Sequence, residues 1–207
     1  MENIKTIGIL GGGQLGKMFI QKALDYNLDF FVLDPDANCA CKQLCNNLTV
    51  GSFNDFDTVY KFCKQVDLIT IEIEHVNIDA LEKLEQEGKL VFPQPAVLRI
   101  IQDKGLQKEF YKKHNIPTSP FVLVNNKQEI IEHQHLLPLM QKMRKGGYDG
   151  KGVKAIKTKK DIETAFEEAS VLESFADIAL ELAVIVARNK KGEIKTFPLV
   201  EMIFNEE

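Results

Sequence analysis

The sequence opens with an apolar run that leads directly into a cluster of glycines. Thr6–Leu10 is apolar without polar alternation, which predicts a strand buried on both faces. Gly11–Gly16 follows, and the apolar residues that come next recur at helical spacing, which predicts a helix with one apolar stripe of Leu15, Met18, Phe19 and Ala23. A strand, a glycine turn and a helix in this order are typical of an open parallel α/β sheet.

The alternation of strands and helices continues over the first hundred residues. Five further segments follow in the order strand, helix, strand, helix, strand: Phe30–Leu33, Phe56–Cys63, Leu68–Ile71, Ile78–Leu84 and Leu90–Phe92. Right-handed crossovers are expected between parallel strands in this order. We therefore predict that residues 1–97 form a Rossmann-like parallel sheet covered by helices.

After Pro95 the pattern changes to antiparallel strands. Predicted strands and helices of this part are Asp103–His114 (helix), Phe121–Val124, Leu137–Met143, Val153–Ile156, a helix capped by Thr158 and Asp161, Ile178–Ala187 and Ile194–Val200. The last two runs flank the turn Asn189–Gly192, which predicts a hairpin. Residues 98–207 are therefore predicted to form a second, α+β unit.

Composition excludes several classes of protein. The chain has 26 Lys+Arg against 30 Asp+Glu, a net charge of −4, whereas nucleic-acid binding usually shows a basic excess. Apolar runs fall short of the roughly 20 residues that span a bilayer, and the N-terminus lacks the layout of a secretory signal. A cytoplasmic protein without membrane or nucleic-acid partners is expected. The spacing of the four cysteines fits reduced structural thiols better than a metal site.

The first glycine cluster allows three interpretations. Gly11, Gly13 and Gly16 satisfy the pattern G-x-G-x-x-G, and Asp34 closes the next predicted strand. Taken alone, this indicates a nicotinamide dinucleotide site with Asp34 on the ribose, and hence an NAD(P)-dependent oxidoreductase. A tight turn that needs glycine for packing, or a phosphate site for a mononucleotide-like substrate, explains the same residues.

A second glycine cluster indicates polyphosphate binding. Alternation along the predicted strand places Met140, Lys142 and Arg144 on one face, just before Gly146–Gly152. Loop N–H groups can surround phosphates while a lysine supplies a point charge. The stretch from Lys142 to Lys160 is strongly basic, but the run Lys154–Lys160 is more simply a solvated face.

Four motifs in order carry a specific resemblance. They are Gly11–Met18, Ile71–Val76, Gln102–Lys108 and Gly146–Gly152. Together they resemble the N5-carboxyaminoimidazole ribonucleotide synthetase family of ATP-grasp enzymes, along essentially the whole chain. The resemblance implies a pre-ATP-grasp sheet followed by an ATP-grasp unit that is incomplete here.

The resemblance implies an activity in purine biosynthesis. Bicarbonate attacks the γ-phosphate of ATP, and the resulting carboxyphosphate delivers carbon dioxide to the amino group of 5-aminoimidazole ribonucleotide. The resemblance also implies which residues bind the nucleotide. They are Lys104, Lys142, Gly147, Tyr148, Asp149, Gly150, Lys151, Gly152, Val153, Glu173, Ser174, Phe175, Ala176 and Glu181. It implies that the imidazole ribonucleotide is bound by Gly13, Gln14, Leu15 and Glu74. Catalysis is assigned by the same resemblance to Tyr148, Asp149 and Lys151.

Two of these acids also have an argument from the residues. Glu173 ends an apolar run, where an edge backbone is expected to pair with adenine. Glu181 lies in a predicted apolar strand, so a buried carboxylate there would need a partner such as ribose hydroxyls; the alternative is an outward-facing strand residue. Lys104 stands where many relatives carry arginine, which keeps the charge but loses the planar fork.

The chain also departs from the family pattern. Phe204 stands near the position where relatives place a nucleotide-site histidine, and the family's Mg²⁺ ligands are expected beyond Glu207. A truncated chain that is inactive alone is therefore expected, and the resemblance implies a homodimer. A nucleotide-binding regulatory fragment is the non-enzymatic alternative.

Overall fold

A computed structural model describes residues 4–147 and 151–203. The chain begins with a five-stranded sheet of β1 (Thr6–Leu10), β2 (Asp29–Asp34), β3 (Asn47–Val50), β4 (Leu68–Ile71) and β5 (Leu90–Phe92). Their spatial order is β3-β2-β1-β4-β5, and every neighbouring pair is parallel. The predicted parallel sheet is confirmed. β3 is an addition, since its four residues are only partly buried and carry little apolar signal.

Helices cover both faces of this sheet. Ile20 of α1 (Gln14–Ala23) shares an apolar core with Ile9. Phe62 of α2 (Phe56–Cys63) and Leu81 of α3 (Ile78–Gln86) share a second core with Leu10. Because successive residues of a strand point to opposite faces, the cores built on Ile9 and Leu10 lie on opposite sides of the sheet.

The apolar stripe predicted for α1 is confirmed at Ala23 and wrong at its other three residues. Leu15, Met18 and Phe19 are exposed, and the helix buries Gly16 and Ile20 together with Ala23. These three residues also recur at helical spacing, so the sequence supports either face. Gly16 selects the second, because a Cβ there would lie only 3.2 Å from Cys41 Sγ and the absence of one allows close packing.

Two consecutive helices link the sheets. α4 (Pro95–Ile101) was not predicted, although Pro95 at its first position is favourable for a helix start. α5 (Lys104–Lys113) confirms the predicted helix from Asp103 to His114, with Asp103 as its N-cap. The boundary predicted between residues 97 and 98 falls inside α4, and the division into domains stays a prediction.

The second sheet is antiparallel. It contains β6 (Phe121–Val124), β7 (Leu139–Met143), β8 (Val153–Ile156) and β9 (Ser170–Ser174), in the order β6-β9-β7-β8. α6 (Lys127–Glu132) packs Ile130 into a core with Leu139 and Ile156. The α+β character predicted for this part is confirmed.

The helix predicted after Thr158 is mostly absent. The capping box of Thr158 and Asp161 is confirmed, but the helix that it starts is a short 3-10 helix over Lys159–Thr164. Ala165 is extended, with φ −61° and ψ 155°, and ends it. A favourable cap therefore does not fix the length of the helix behind it.

The last described segment forms two small antiparallel sheets. β11 (Val186–Arg188) and β12 (Ile194–Thr196) form the predicted hairpin, and β10 (Leu182–Ala183) pairs with β13 (Val200–Glu201). The prediction of one strand over 178–187 is wrong, because two strands of different sheets divide that run. Across the described chain, no helix has both the length and the apolar character that a membrane span requires.

Asn77 offers a test of the helix caps. Its side chain accepts from Ala80 N at 2.9 Å and donates to Asn54 O at 3.0 Å. Asn77→Ala is expected to lower the free energy of unfolding by about 1–2 kcal/mol, because it removes the cap of α3 and a loop tether. Urea unfolding measures this. Glu85→Ala, at an exposed position of the same helix, should change it by less than about 0.5 kcal/mol; equal effects would contradict the capping role.

Candidate functional site

The first glycine turn lies where the strand order of the parallel sheet reverses. Gly11–Gly16 joins central β1 to α1, with β2 on one side of β1 and β4 on the other. Asp34 ends β2 and Glu72 follows β4 directly, so a carboxylate flanks the turn on each side. Ligands of open parallel sheets bind in the crevice at such a point.

The turn requires glycine because Glu72 lies directly against it. Gly11 has φ +96°, which L side chains rarely adopt. A Cβ at Gly13 would lie 2.5 Å from Glu72 Oε1, and one at Gly11 would lie 2.9 Å from Glu72 Oε2. Glycine is therefore needed here for the approach of a carboxylate as well as for backbone geometry.

Glu72 is the acid that the structure brings to the start of α1. Its Oε1 accepts from Leu15 N at 3.3 Å, and Gly13, the N-cap, makes no side-chain capping bond. A carboxylate is favourable at a helix N-terminus. Gln14 and Leu15, predicted at the substrate, are both exposed beside it. The sequence named Glu74 instead; Glu74 is exposed, and its carbonyl accepts from Gln102 Nε2 at 2.6 Å.

Asp34 is engaged by the chain itself. Its Oδ2 accepts from Gly12 N at 2.7 Å and its Oδ1 from Asp36 N at 2.8 Å. Each oxygen thus holds a backbone amide, whereas the dinucleotide interpretation needs this carboxylate for a ribose. The local geometry favours a packed turn over an NAD(P) site.

The cysteines near the turn are structural. All four are free, and Cys41 is buried with its Sγ 3.7 Å from Gly13 O. Burial raises the pKa of Cys41 to about 11 and that of Cys63 to about 12. Since the thiolate is the reactive form, these thiols are poor nucleophiles at neutral pH.

The second group of candidate residues lies on β7, where the predicted alternation is confirmed. Lys142 Nζ donates to Glu173 Oε2 at 3.1 Å, and Arg144 bonds Asp103 on the same face. Gln141 lies on the opposite face, where it is buried and donates to Phe166 O and Ser170 Oγ, both at 3.0 Å.

Glu173 is a buried acid, but not for the reason that the sequence suggested. β9 lies between β6 and β7, and Glu173 pairs with Phe121 on one side and Met140 on the other. The expectation of an edge backbone at this residue is wrong. Beyond Ser174, whose N donates to Pro120 O at 3.0 Å, the chain leaves the sheet, and the exposed Phe175 and Ala176 belong to no helix or strand.

Lys108 was missed by the sequence analysis as a site residue. It is 8 % exposed, and its Nζ lies 3.1 Å from the same Glu173 Oε2 that Lys142 contacts. It also donates to Thr118 Oγ1 at 2.6 Å. Its spacing of four from Lys104 on one helix was a signal, but its partner lies 65 residues further along the chain, which only the fold reveals.

The second glycine loop returns to its own starting point. A Cβ at Gly147 would lie 2.8 Å from Lys151 O, and Gly152 has φ +74°. Lys104 Nζ donates to Gly147 O at 3.2 Å, while Gly152 O accepts from Met143 N at 2.8 Å. The ends of the loop thus lie together beside Lys104. Val153 then begins β8, paired with Lys142.

Three of the predicted residues, Tyr148, Asp149 and Gly150, lie outside the described residues. Lys151 is exposed. Glu181 is also exposed and lies just before β10; its carbonyl accepts from Met202 N at 2.8 Å. The expectation of a buried Glu181 in an apolar strand is wrong, and the alternative of an outward-facing residue agrees with the structure.

Asp103 and Arg144 tie the start of α5 to the end of β7. Arg144 Nε and Nη2 donate to Asp103 Oδ1 and Oδ2, each at 2.8 Å, and Lys104 N donates to Arg144 O at 2.9 Å. Burial acts to raise the pKa of Asp103, but the bonds from Arg144 and from the amides of Leu106 and Gly105 outweigh it and lower the pKa below 3.8. The hydrogen bond to Asp103 raises the pKa of Arg144.

The structure therefore gathers two groups, one at the first glycine turn and one of lysines and acids near the second glycine loop. Over residues 4–147 and 151–203, no three His, Cys, Asp or Glu side chains gather in a way that could hold a metal ion. The described residues thus provide no metal site of their own, and the ligands that the resemblance implies for Mg²⁺ stay a prediction.

Comparison with known proteins identifies the family. Residues 4–102 match the ribonucleotide synthetase preATP-grasp domain, and residues 109–207 match the ATP-grasp domain. The crystal structure of N5-carboxyaminoimidazole ribonucleotide synthetase from Thermotoga maritima superposes with a TM-score of 0.85 at 42% identity, over 96% of this chain and 54% of that one.

The chain belongs to the N5-carboxyaminoimidazole ribonucleotide synthetase family.

Other family members agree over most of this chain. The synthase from Aspergillus clavatus, in complex with ADP and 5-aminoimidazole ribonucleotide, has a TM-score of 0.86 at 33% identity, over 100% of this chain and 55% of that chain. The chloroplastic phosphoribosylaminoimidazole carboxylase of Vigna aconitifolia is 37% identical over 203 residues, which are 95% of this chain and 36% of that protein. The chain thus spans about half the length of the solved family members.

The pair of Asp103 and Arg144 predicts an acid-dependent loss of stability. A carboxyl whose pKa is lowered on folding stabilises the fold above its unfolded pKa, and this stability is lost as pH falls through the folded value. Asp103→Asn is expected to cost about 2 kcal/mol of unfolding free energy at pH 7, and the difference from wild type should shrink as the pH falls below the unfolded pKa of about 3.9 and through the lower folded pKa.

Urea unfolding at several pH values measures this difference. Asp79→Asn is the control, since Asp79 forms an exposed ion pair with Arg99 at 2.7 Å and should cost less than about 1 kcal/mol. A pH-independent cost of Asp103→Asn would show that charge is not the cause.

Proposed function

We propose that this chain binds ATP and 5-aminoimidazole ribonucleotide and contributes both sites to the ATP-dependent carboxylation of the latter by bicarbonate. The observation that carries the proposal is the placement of Lys104 at the root of the second glycine loop, with Lys142 on the strand that leads into it. Support also comes from the family and from its member crystallised with ADP and 5-aminoimidazole ribonucleotide.

Lys104 and Lys142 are proposed to bind the phosphates of ATP. Both ammonium groups are only half-buried, and each now bonds an oxygen of the chain, Gly147 O or Glu173 Oε2. Phosphate oxygens are stronger acceptors than a carbonyl, so an exchange of partners on binding is favourable. The backbone N–H groups of the loop from Gly147 to Gly152 would add donors to the same phosphates.

Adenine and ribose are assigned to the strand beside these lysines. Glu173 would accept from the exocyclic amino group, and the backbone of Ser174, Phe175 and Ala176 would pair with the ring edge. Glu181 lies outside the core in this structure, and we propose, as the resemblance implies, that it binds the ribose.

The reaction transfers one phosphoryl group and then one carbon. An oxygen of bicarbonate attacks the γ-phosphorus and ADP leaves, which forms carboxyphosphate. Carboxyphosphate releases phosphate and carbon dioxide, and the 5-amino nitrogen attacks the carbon and loses a proton to give the carbamate. Tyr148, Asp149 and Lys151, which belong to the second glycine loop, are proposed to act at this step. Closure of that loop would exclude water from the acyl phosphate.

The first glycine turn is assigned to the imidazole ribonucleotide. Gly13, Gln14 and Leu15 lie at the exposed start of α1, where backbone N–H groups favour an anion such as the sugar phosphate. Glu72 offers a half-buried acceptor for the amino group or ribose hydroxyls. Glu74, at the same end of the sheet, remains proposed. The cytoplasmic location, the homodimer and the use of Mg²⁺ with ATP belong to the same proposal, and no step here is routed through the metal.

A titration separates ATP binding from the dinucleotide alternative. The chain is expected to bind a non-hydrolysable ATP analogue in preference to NADH, and Lys142→Met should weaken the analogue by about tenfold or more, because a phosphate loses its cation. Lys160→Met, at an exposed position of the basic run, should leave binding unchanged. Calorimetry measures each affinity, and preferential NADH binding would favour the oxidoreductase.

A second comparison decides which acid contacts the ribonucleotide. Glu72→Gln is expected to lower the affinity for 5-aminoimidazole ribonucleotide by about tenfold, since Glu72 lies against the turn. Glu74→Gln should have a smaller effect because that side chain is exposed. The reverse order, measured by the same calorimetry, would restore Glu74 as the principal contact.

A further inference from the structure

One carboxylate oxygen in the second sheet is shared by two lysines. Lys108 Nζ and Lys142 Nζ each lie 3.1 Å from Glu173 Oε2. The Glu173 side chain is only 9 % exposed, so its charge needs a partner inside the fold. Two cations against one anion leave a positive charge that a single lysine would not provide.

The two lysines are held differently. The Lys108 side chain is 11 % exposed, donates to Thr118 Oγ1 at 2.6 Å and lies 5.8 Å from the centre of the Phe121 ring. The Lys142 side chain is 32 % exposed, and its Nζ donates to Glu173 Oε2 at 3.1 Å. Lys108 is therefore a fixed partner of Glu173, whereas Lys142 can turn toward a ligand without leaving a buried group behind.

Phosphate binding by Lys142 has a cost that depends on Lys108. When Lys142 turns to a phosphate, Glu173 loses one of its two cations. With Lys108 present the carboxylate remains paired; without it, a buried charge would be left uncompensated, which is strongly unfavourable. Lys108 is not among the residues that the proposal above places on the phosphates, so its effect on nucleotide binding would pass through Glu173.

We propose that Lys108 is a positioning residue that keeps Glu173 paired so that Lys142 can transfer to the nucleotide phosphates. This inference rests on the proposed ATP site. In this proposal Lys108, a buried residue of α5, acts through Glu173. It determines whether the charge of Lys142 on β7 is free to bind a phosphate.

The first test compares ligands with and without phosphates. Lys108→Met is expected to lower the affinity for the non-hydrolysable ATP analogue by about tenfold or more. The affinity for adenosine should fall by less than about threefold, because adenosine has no phosphates and leaves Lys142 bonded to Glu173. Lys112→Met, at an exposed position of the same helix, should change neither affinity. Equal losses for the two ligands would overturn the proposal, since general damage to the site weakens both.

A double variant tests whether Glu173 transmits the effect. Glu173→Gln keeps an acceptor oxygen but removes the charge that holds Lys142. Adding Lys108→Met to Glu173→Gln should therefore leave analogue affinity within about threefold of the Glu173→Gln variant alone. A full additional loss in the double variant would mean that Lys108 acts independently of Glu173.

A measurement without nucleotide keeps the inference separate from the proposed function. Acylation of Lys142 by an amine-reactive ester, followed by mass spectrometry, should be slower in Lys108→Met, because Glu173 then holds Lys142 alone. If Lys108→Met does not fold by circular dichroism, Lys108→Gln replaces it. Unchanged or faster acylation would overturn the inference; slower acylation in a chain that binds no ATP analogue would sustain it while refuting the proposed function.

Discussion

Charged side chains that enter the interior of this fold are paired, and the pairs determine where the lysines near the second glycine loop lie. Asp103 and Glu173 are both nearly fully buried, and each is held by cations from another element. An uncompensated charge in such a place would cost several kcal/mol, roughly the margin by which a domain is stable. The pairs between α5 and the second sheet therefore position Lys104, Lys108 and Lys142 together.

The first sheet shows the same constraint in another form. Glu72 reaches the start of α1 only because Gly11 and Gly13 leave room for it, and Asp34 is held by amides of its own loop. A G-x-G-x-x-G pattern is thus compatible with a turn whose ligand space is partly filled by the protein's own carboxylate. The pattern alone does not distinguish this turn from a dinucleotide site.

Some features of this fold were predictable from the sequence and others were not, and particular strands and helices show why. Four strands of the first sheet were predictable because buried parallel strands are continuous apolar runs, whereas β3 lacks such a run. The face of β7 was predictable because strand alternation has a period of two. The buried face of α1 and the division of 178–187 were not, because several registers satisfy the same apolar pattern and packing chooses among them.

By itself, the sequence determined the order of strands and helices, the two glycine clusters and the family motifs, because these depend on local spacing along the chain. Only the tertiary structure decided that Glu72 lies against the glycine turn, that Glu173 belongs to an inner strand and that Lys108 is its buried partner. Lys108 and Glu173 are 65 residues apart in the chain and 3.1 Å apart in space. Contacts of this kind follow from sheet order and helix docking, which no local pattern encodes.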